Sequence, residues 1–97
     1  MDASKKNLSG KDCTGQDFNG QDLSGSDFSE ADLTGAGLQN TNLCQANFYR
    51  ARLKQVQARQ ANFSEAEMTE VNLNEAVLAG AIFKSADLGG PTLERPI

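Results

Sequence analysis

A large apolar residue recurs at every fifth position along almost the whole chain. From Leu8 to Leu93 this spacing holds without an insertion, and only Ala58 is small. We call these the central residues, and they are Leu8, Cys13, Phe18, Leu23, Phe28, Leu33, Leu38, Leu43, Phe48, Leu53, Ala58, Phe63, Met68, Leu73, Leu78, Phe83, Leu88 and Leu93. Two places before each central residue lies a second inward candidate, the small position, which is Ala, Thr or Val from Ala31 to Ala86.

This period fits neither an ordinary helix nor an ordinary strand. Five residues turn an α-helix by roughly 500°, so successive central residues would lie about 140° apart and form no apolar stripe. In a flat strand, alternate central residues would face opposite sides. A chain that turns a corner every five residues directs every central residue at one axis, and four such corners close a coil of about twenty residues.

Several of these fives resemble the pentapeptide-repeat family, whose pattern is Ala, then Asp or Asn, then Leu, then two variable residues. The clearest matches are residues 31–35, 46–50, 61–65 and 86–90. The resemblance covers about Lys6 to Arg95 and implies an all-β fold, a right-handed quadrilateral β-helix of about four and a half coils. It implies no catalytic residue, because the family as a whole has none. The pattern is broken at Lys6, Lys11, Gln16, Gln21, Gly37, Arg52, Val77, Ile82 and Pro91.

We divide the chain into an N-terminal lead-in at 1–5, the β-helix at 6–95 and a C-terminal tail at 96–97. Residues twenty apart should then stack on one face. This places Phe28 on Phe48 and Phe63 on Phe83, as aromatic pairs able to stack with an offset. Ala58 leaves a gap in the core, which Val56 compensates because it replaces the usual Ala two places earlier.

The corners and the first coil carry their own signals. Gly or Asn ends many of the fives, as a type II turn requires at its third residue. Where Gln or Glu holds that place, from Gln55 to Glu75, we expect type I or irregular corners instead. In the first coil the small position is long and polar, at Lys6, Lys11, Gln16 and Gln21. Such side chains suit an end coil whose interior opens to water.

The C-terminal end is the candidate interaction site. Val77 and Ile82 are apolar where the pattern puts outward polar groups, and residues 89–91 and Pro96 interrupt the repeat. An open last coil exposes core side chains and unpaired backbone, which usually need a cover. We therefore predict that this end pairs with a protein partner or a second copy through Val77, Ile82, Leu88, Pro91 and Leu93.

The sequence offers no recognisable catalytic site. It contains no His, and no nucleophile lies in a pattern with a base or beside a phosphate loop. The five aspartates Asp12, Asp17, Asp22, Asp27 and Asp32 are also five apart, so successive ones should point from different faces. We expect solvated surface positions there and no metal site. Cys13 is a central residue and should be inert, whereas Cys44 should point outward and accept labels.

A basic stretch in the middle of the chain suggests nucleic acid at first sight. It contains Arg50, Arg52, Lys54 and Arg59. Coiling would set Arg50 between Glu30 and Glu70, and Arg52 above Asp32. Ladders of exposed ion pairs are therefore the favoured interpretation, each pair contributing under about 1 kcal/mol.

These observations favour a non-catalytic structural or protein-interaction solenoid without a cofactor. The net charge of −4 argues against direct nucleic-acid binding and against an anionic membrane surface. The first residues form no apolar signal core, so we expect a cytoplasmic protein. The alternative is a DNA mimic, by analogy with pentapeptide-repeat inhibitors of DNA gyrase, a type II topoisomerase, because the first third of the chain is rich in Asp. A cation- or ligand-binding protein has the least support.

Overall fold

The five-residue period builds a stack of square coils. The computed structural model describes residues 5–89, and all statements about structure refer to this part of the chain. The successive coils comprise residues 6–25, 26–45, 46–65 and 66–85, followed by the start of a further coil at 86–89. This part of the chain contains no helix, and therefore none that could cross a membrane. The domain boundaries expected at 95 and 97 lie outside it.

Each side of the square is a wall made of single-residue parallel β-bridges between residues twenty apart. No longer strand forms among the described residues, because the chain turns after every bridge. Wall 1 contains Asn7, Asp27, Asn47, Glu67 and Asp87; wall 2 contains Asp12, Asp32, Arg52 and Asn72; wall 3 contains Asp17, Gly37, Gln57 and Val77; wall 4 contains Asp22, Asn42, Asn62 and Ile82.

Backbone hydrogen bonds join the coils in a repeated scheme. The Phe28 amide donates to the Asn47 carbonyl above it at 2.7 Å, and the Asp27 amide donates to the Lys6 carbonyl below it at 2.8 Å. Within one coil, the Ala31 amide closes the corner by donating to the Phe28 carbonyl at 3.0 Å. Since coils above and below supply these partners, an inner coil is satisfied on both sides and an end coil on one.

The core consists of the central residues and the small positions, as the period predicts. Central residues from Cys13 to Met68 are at most 3% exposed, and Val56 beside Ala58 is fully buried. The rings of Phe28 and Phe48 stack at 5.0 Å with 5° between their planes, and those of Phe63 and Phe83 at 5.0 Å with 3°. Both predicted pairs are therefore confirmed. Phe48 also contacts Phe63, and Phe18 contacts Phe28 edge-on, so all phenylalanines form one connected series.

The expected change of corner type is wrong. Every described corner from Gly10 to Ser85 has a positive φ at its last residue, including Gln55 and Glu75 at 60° and 62°. A positive φ at the third turn residue excludes type I. Side-chain hydrogen bonds between coils accompany these strained corners. Gln55 Nε2 donates to Glu75 Oε1 at 2.9 Å, and Gln45 Nε2 donates to Glu65 Oε1 at 2.9 Å.

Candidate functional site: the C-terminal end

Burial of the central residues falls towards the last described coil. Met68 is 1% exposed, Leu73, Leu78 and Phe83 are partly buried, and Leu88 is 46% exposed. Leu88 belongs to the same column as Phe28 and Phe48, which are completely buried. The C-terminal end of the stack therefore presents core side chains that no further described coil covers.

Within residues 5–89, the backbone at this end also lacks some of the partners found in inner coils. The amides of Ala58 and Phe63 donate to the carbonyls of Val77 and Ile82, one coil above, at 2.9 and 2.7 Å. The equivalent amides of Leu78 and Phe83 find no carbonyl acceptor within residues 5–89. Such an edge is a ready template for pairing with another chain.

The structure separates the predicted interface residues into two surfaces. Val77 and Ile82 form the bridges of walls 3 and 4 to Gln57 and Asn62. Each directly precedes an inward central residue, so its own side chain lies on the outside of the wall. Ile82 is 49% exposed and Val77 is half-buried, so they form a lateral apolar patch next to the end. Leu88 faces the end itself. Pro91 and Leu93 lie outside the described residues.

Two members of the lateral patch escaped the sequence analysis. Ala79 and Gly80 are exposed between Val77 and Ile82 and carry no polar side chain. The columns below them hold Gln39 and Arg59 under Ala79, and Asn40 and Gln60 under Gly80. Comparing residues twenty apart would have shown that polar columns become apolar in the last coil.

The aspartates Asp12, Asp17, Asp22, Asp27 and Asp32 each bond to the backbone of their own corner. Each accepts a hydrogen bond from the backbone amide two residues later, as Asp32 Oδ1 does from Thr34 at 3.0 Å and Asp17 Oδ1 from Asn19 at 2.8 Å. No group of acidic or Cys side chains in the described part of the chain could hold an ion. These carboxylates therefore fix the path into the next corner, a role that Asn42 and Asn62 fill equally well.

Hydrogen bonding lowers the pKa of two of these carboxyl groups, Asp12 and Asp32. The Thr34 hydroxyl, followed by the Thr34 amide, lowers the pKa of Asp32. Thr14 lowers the pKa of Asp12 in the same way. Both groups are held ionised by their own corners, so neither resembles the raised carboxyl of a general acid.

Two of the four basic residues form ion pairs that the columns predict. Arg50 pairs with Glu70, and Arg52 pairs with Asp32. Arg50 Nε lies 2.9 Å from Glu70 Oε1, and this hydrogen bond raises the pKa of Arg50. Arg52 Nη1 lies 3.8 Å from Asp32 Oδ2. Both pairs are largely exposed, so each contributes little to stability. Arg50, Arg52 and Asp32 border an open groove of about 460 Å³ that Gly10, Lys11, Asp12 and Glu30 complete. Its charges have both signs, whereas a binding site for a polyanion needs a field of one sign.

The two cysteines differ as expected. Cys13 is 3% exposed, and burial raises the pKa of its thiol. Cys44 is only half-buried on wall 4, and both thiols are free. The raised pKa keeps Cys13 in its thiol form, the opposite of an activated thiolate nucleophile.

Comparison with known proteins identifies the family behind this geometry. The sequence matches the family model described as pentapeptide repeats, in eight copies over residues 12–49, 26–65 and 59–90. The chain belongs to the pentapeptide-repeat family. Members of this family are generally not enzymes. No match was found among curated proteins.

Solved pentapeptide-repeat structures share the fold. Rfr23 from the cyanobacterium Cyanothece 51142 is 33% identical over 82% of this chain, with a TM-score of 0.80. The protein alr5209 from Nostoc Pcc 7120 is 30% identical over 81%, with a TM-score of 0.77. HetL, from Nostoc sp. Strain PCC 7120 and involved in heterocyst differentiation regulation, is 33% identical over 87%, with a TM-score of 0.51.

These solved relatives confirm the fold, and they also show that this chain covers only part of their length. The right-handed quadrilateral β-helix, and with it the all-β class, is confirmed. The chain spans 55% of the Rfr23 chain, 65% of the alr5209 chain and 43% of the HetL chain. These pentapeptide-repeat proteins are thus longer chains than this one.

Proposed function

We propose that this pentapeptide-repeat chain is a non-catalytic rod that binds protein through its C-terminal end, with a second copy of itself as the partner to test first. The observation that carries the proposal is Leu88, a core residue left 46% exposed. Leu73, Leu78 and Phe83 lie behind it, only partly buried. A cytoplasmic location stays a prediction from the sequence.

The energetics favour an interface that uses side chains and backbone together. Full burial of a Leu or Ile side chain contributes about 1.5–3 kcal/mol, so covering the exposed halves of Leu88 and Ile82 contributes on the order of 1 kcal/mol each. That alone is too little for a stable pair. A partner that also paired with the Leu78 and Phe83 amides and covered the open core would add the remainder.

Sedimentation velocity over a range of concentrations tests the proposal. We expect the mean mass to rise towards a pair with concentration, and Leu88→Asp to abolish that rise. Tyr49→Asp is the matched control, since Tyr49 is an exposed large side chain, 37% accessible, on wall 1 away from the end. A strict monomer at high concentration, for both the wild type and Tyr49→Asp, would remove the version in which the rod pairs with itself.

The DNA-mimic alternative has weaker support. Asp12, Asp17, Asp22 and Asp27 lie on four different walls, and Arg52 and Lys54 are exposed on wall 2. A mimic of the duplex needs acidic groups that dominate one surface. A supercoiling assay with a type II topoisomerase separates the two functions, because the interaction rod should leave the enzyme active even in large excess.

A further inference from the structure

The N-terminal end of the rod differs from its C-terminal end at the small position. Lys6, Lys11, Gln16 and Gln21 hold this position in the first coil, and all four are exposed. One coil above, the same positions are occupied by Ser26, Ala31, Ala36 and Thr41, each at most 1% exposed. We call the first four residues the N-terminal ring.

The backbone beside this ring could continue the stack. The amides of Asp27 and Asp32 donate to carbonyls one coil below, at 2.8 and 3.0 Å. The equivalent amides of Asn7 and Asp12 have no carbonyl acceptor among the described residues. This end is therefore an open parallel edge with regularly spaced donors.

The opposite end offers the matching acceptors. The carbonyls of Val56 and Ala61 accept the amides of Val77 and Ile82 from the coil above, both at 2.9 Å. The equivalent carbonyls of Ala76 and Ala81 accept no backbone amide from residues 5–89. The two ends are thus complementary, and head-to-tail stacking of copies would be a contact that never closes, which generates a filament.

We propose that the N-terminal ring prevents this stacking, so that a second copy of the chain cannot add to the first coil. Stacking would bury the Lys6 and Lys11 ammonium groups against a core that is lined by Ser, Ala, Thr and Val at the small positions from Ser26 to Ala86. No carboxylate lies at these positions to compensate a buried charge. The long Gln16 and Gln21 side chains would need volume where inner coils accommodate only small residues.

The barrier acts at the N-terminal end and does not depend on what the C-terminal end binds. A lysine that faces inward on an open β-edge keeps its ammonium group in water only while the edge stays unpaired. Isolated rods and pairs through the other end leave the ring solvated. Only an added coil below the first would desolvate it.

A variant that copies the second coil into the first tests this inference. Lys6→Ser, Lys11→Ala, Gln16→Ala and Gln21→Thr reproduce the residues found twenty places later. We expect light scattering to show a mass that keeps growing with concentration, and electron microscopy to show rods longer than one copy. The matched control also removes two basic and two Gln side chains, but from outer walls, through Lys54→Ala, Arg59→Ala, Gln39→Ala and Gln57→Ala, and should keep the wild-type mass.

The outcome is decisive in either direction. The inference is overturned if the variant, with its β-structure verified by circular dichroism, keeps the wild-type mass. Should the fourfold variant not fold, the pair Lys6→Ser and Lys11→Ala is compared with the pair Lys54→Ala and Arg59→Ala. Growth in the first pair alone supports a barrier at the ring, and equal masses overturn it.

Discussion

Asn19 Oδ1 accepts a hydrogen bond at 2.8 Å from the backbone amide of Gln39, one coil above it. At most other described corners the equivalent amide is accepted by an Asp or Asn two residues earlier in the same coil, as Asp32 does for Thr34, but here that position is Gly37. A Cβ on Gly37 would lie 2.8 Å from Asn19 Oδ1. The glycine therefore makes room for a side chain from the neighbouring coil to replace the one it lacks.

Gly37→Ala should displace the Asn19 side chain and leave the Gln39 amide without this acceptor. Loss of one such hydrogen bond lowers the free energy of unfolding by about 1 kcal/mol. Gly37→Asn brings its own acceptor, as Asn42 and Asn62 do, and should cost less than Gly37→Ala. Urea denaturation of the two variants compares them directly. Equal stabilities would mean that the bond from Gln39 to Asn19 contributes nothing.

Phe63→Ala should be among the most destabilising single substitutions in this chain. Phe63 is fully buried and contacts both Phe48 and Phe83. Truncating a buried Phe costs about 3–5 kcal/mol, a large share of the stability of a small domain. Phe83→Ala provides the comparison, because Phe83 is only partly buried in the last full coil and should cost clearly less. Thermal unfolding that ranks Phe83→Ala as the more damaging would contradict this description of the end.

Stability should fall in acid partly because of Asp32. Hydrogen bonds from Thr34 lower the pKa of Asp32 in the folded chain, compared with about 3.9 in an unfolded one. A lowered carboxyl pKa contributes stability that is present above the unfolded value and is lost as the pH falls through the folded value. Asp32→Asn keeps an acceptor oxygen but cannot titrate.

The expected result is a smaller loss of stability between neutral pH and about pH 3 for Asp32→Asn than for the wild type. Urea midpoints at the two pH values measure it. Asp32→Ala, which also removes the acceptor, should be less stable than Asp32→Asn at both. An identical acid dependence in the wild type and Asp32→Asn would show that Asp32 carries no such linkage.

A thiol-reactive dye should distinguish the two cysteines. Cys44 is half-buried on wall 4, whereas Cys13 is 3% exposed and has a raised pKa. Only the thiolate reacts, so Cys44 should be modified first and Cys13 only as its coil opens. Mass spectrometry after timed labelling assigns each adduct, with the urea-unfolded chain as the control in which both react. Equal rates in the folded protein would place Cys13 outside the core.

The sequence alone predicts the coils because one geometric requirement dominates. A large residue at every fifth place is buried along one axis when the chain turns a corner every five residues. The resemblance to the pentapeptide-repeat family implies four corners per coil, and this determines the columns that set Phe28 on Phe48. The exposed N-terminal ring followed from the same columns, since Lys6 and Lys11 are too long for the small position. The five-residue pattern is therefore sufficient to predict a residue's position where its size allows only one place in the coil.

Other features depend on contacts between coils that a single five does not contain. Corner preferences favour Gly, yet Gln55 keeps a positive φ and also donates to Glu75 in the next coil. Gly37 departs from the pattern in the sequence, and Asn19 from the neighbouring coil accepts the amide that this position would otherwise serve. Ile82 and Leu88 likewise belong to separate surfaces, the outside of wall 4 and the open end of the core. This separation depends on how neighbouring coils stack and cannot be read from a single five.

Hydrogen–deuterium exchange at several protein concentrations tests the pairing of the C-terminal end most directly. In dilute solution the amides of Leu78 and Phe83 should exchange quickly, because no carbonyl of residues 5–89 accepts them. As the concentration rises, pairing should slow these two amides, while the Asn7 and Asp12 amides at the N-terminal end keep their rates. Rates at Leu78 and Phe83 that stay the same at every concentration, or protection that appears at Asn7 and Asp12 instead, would contradict the proposed function of this rod.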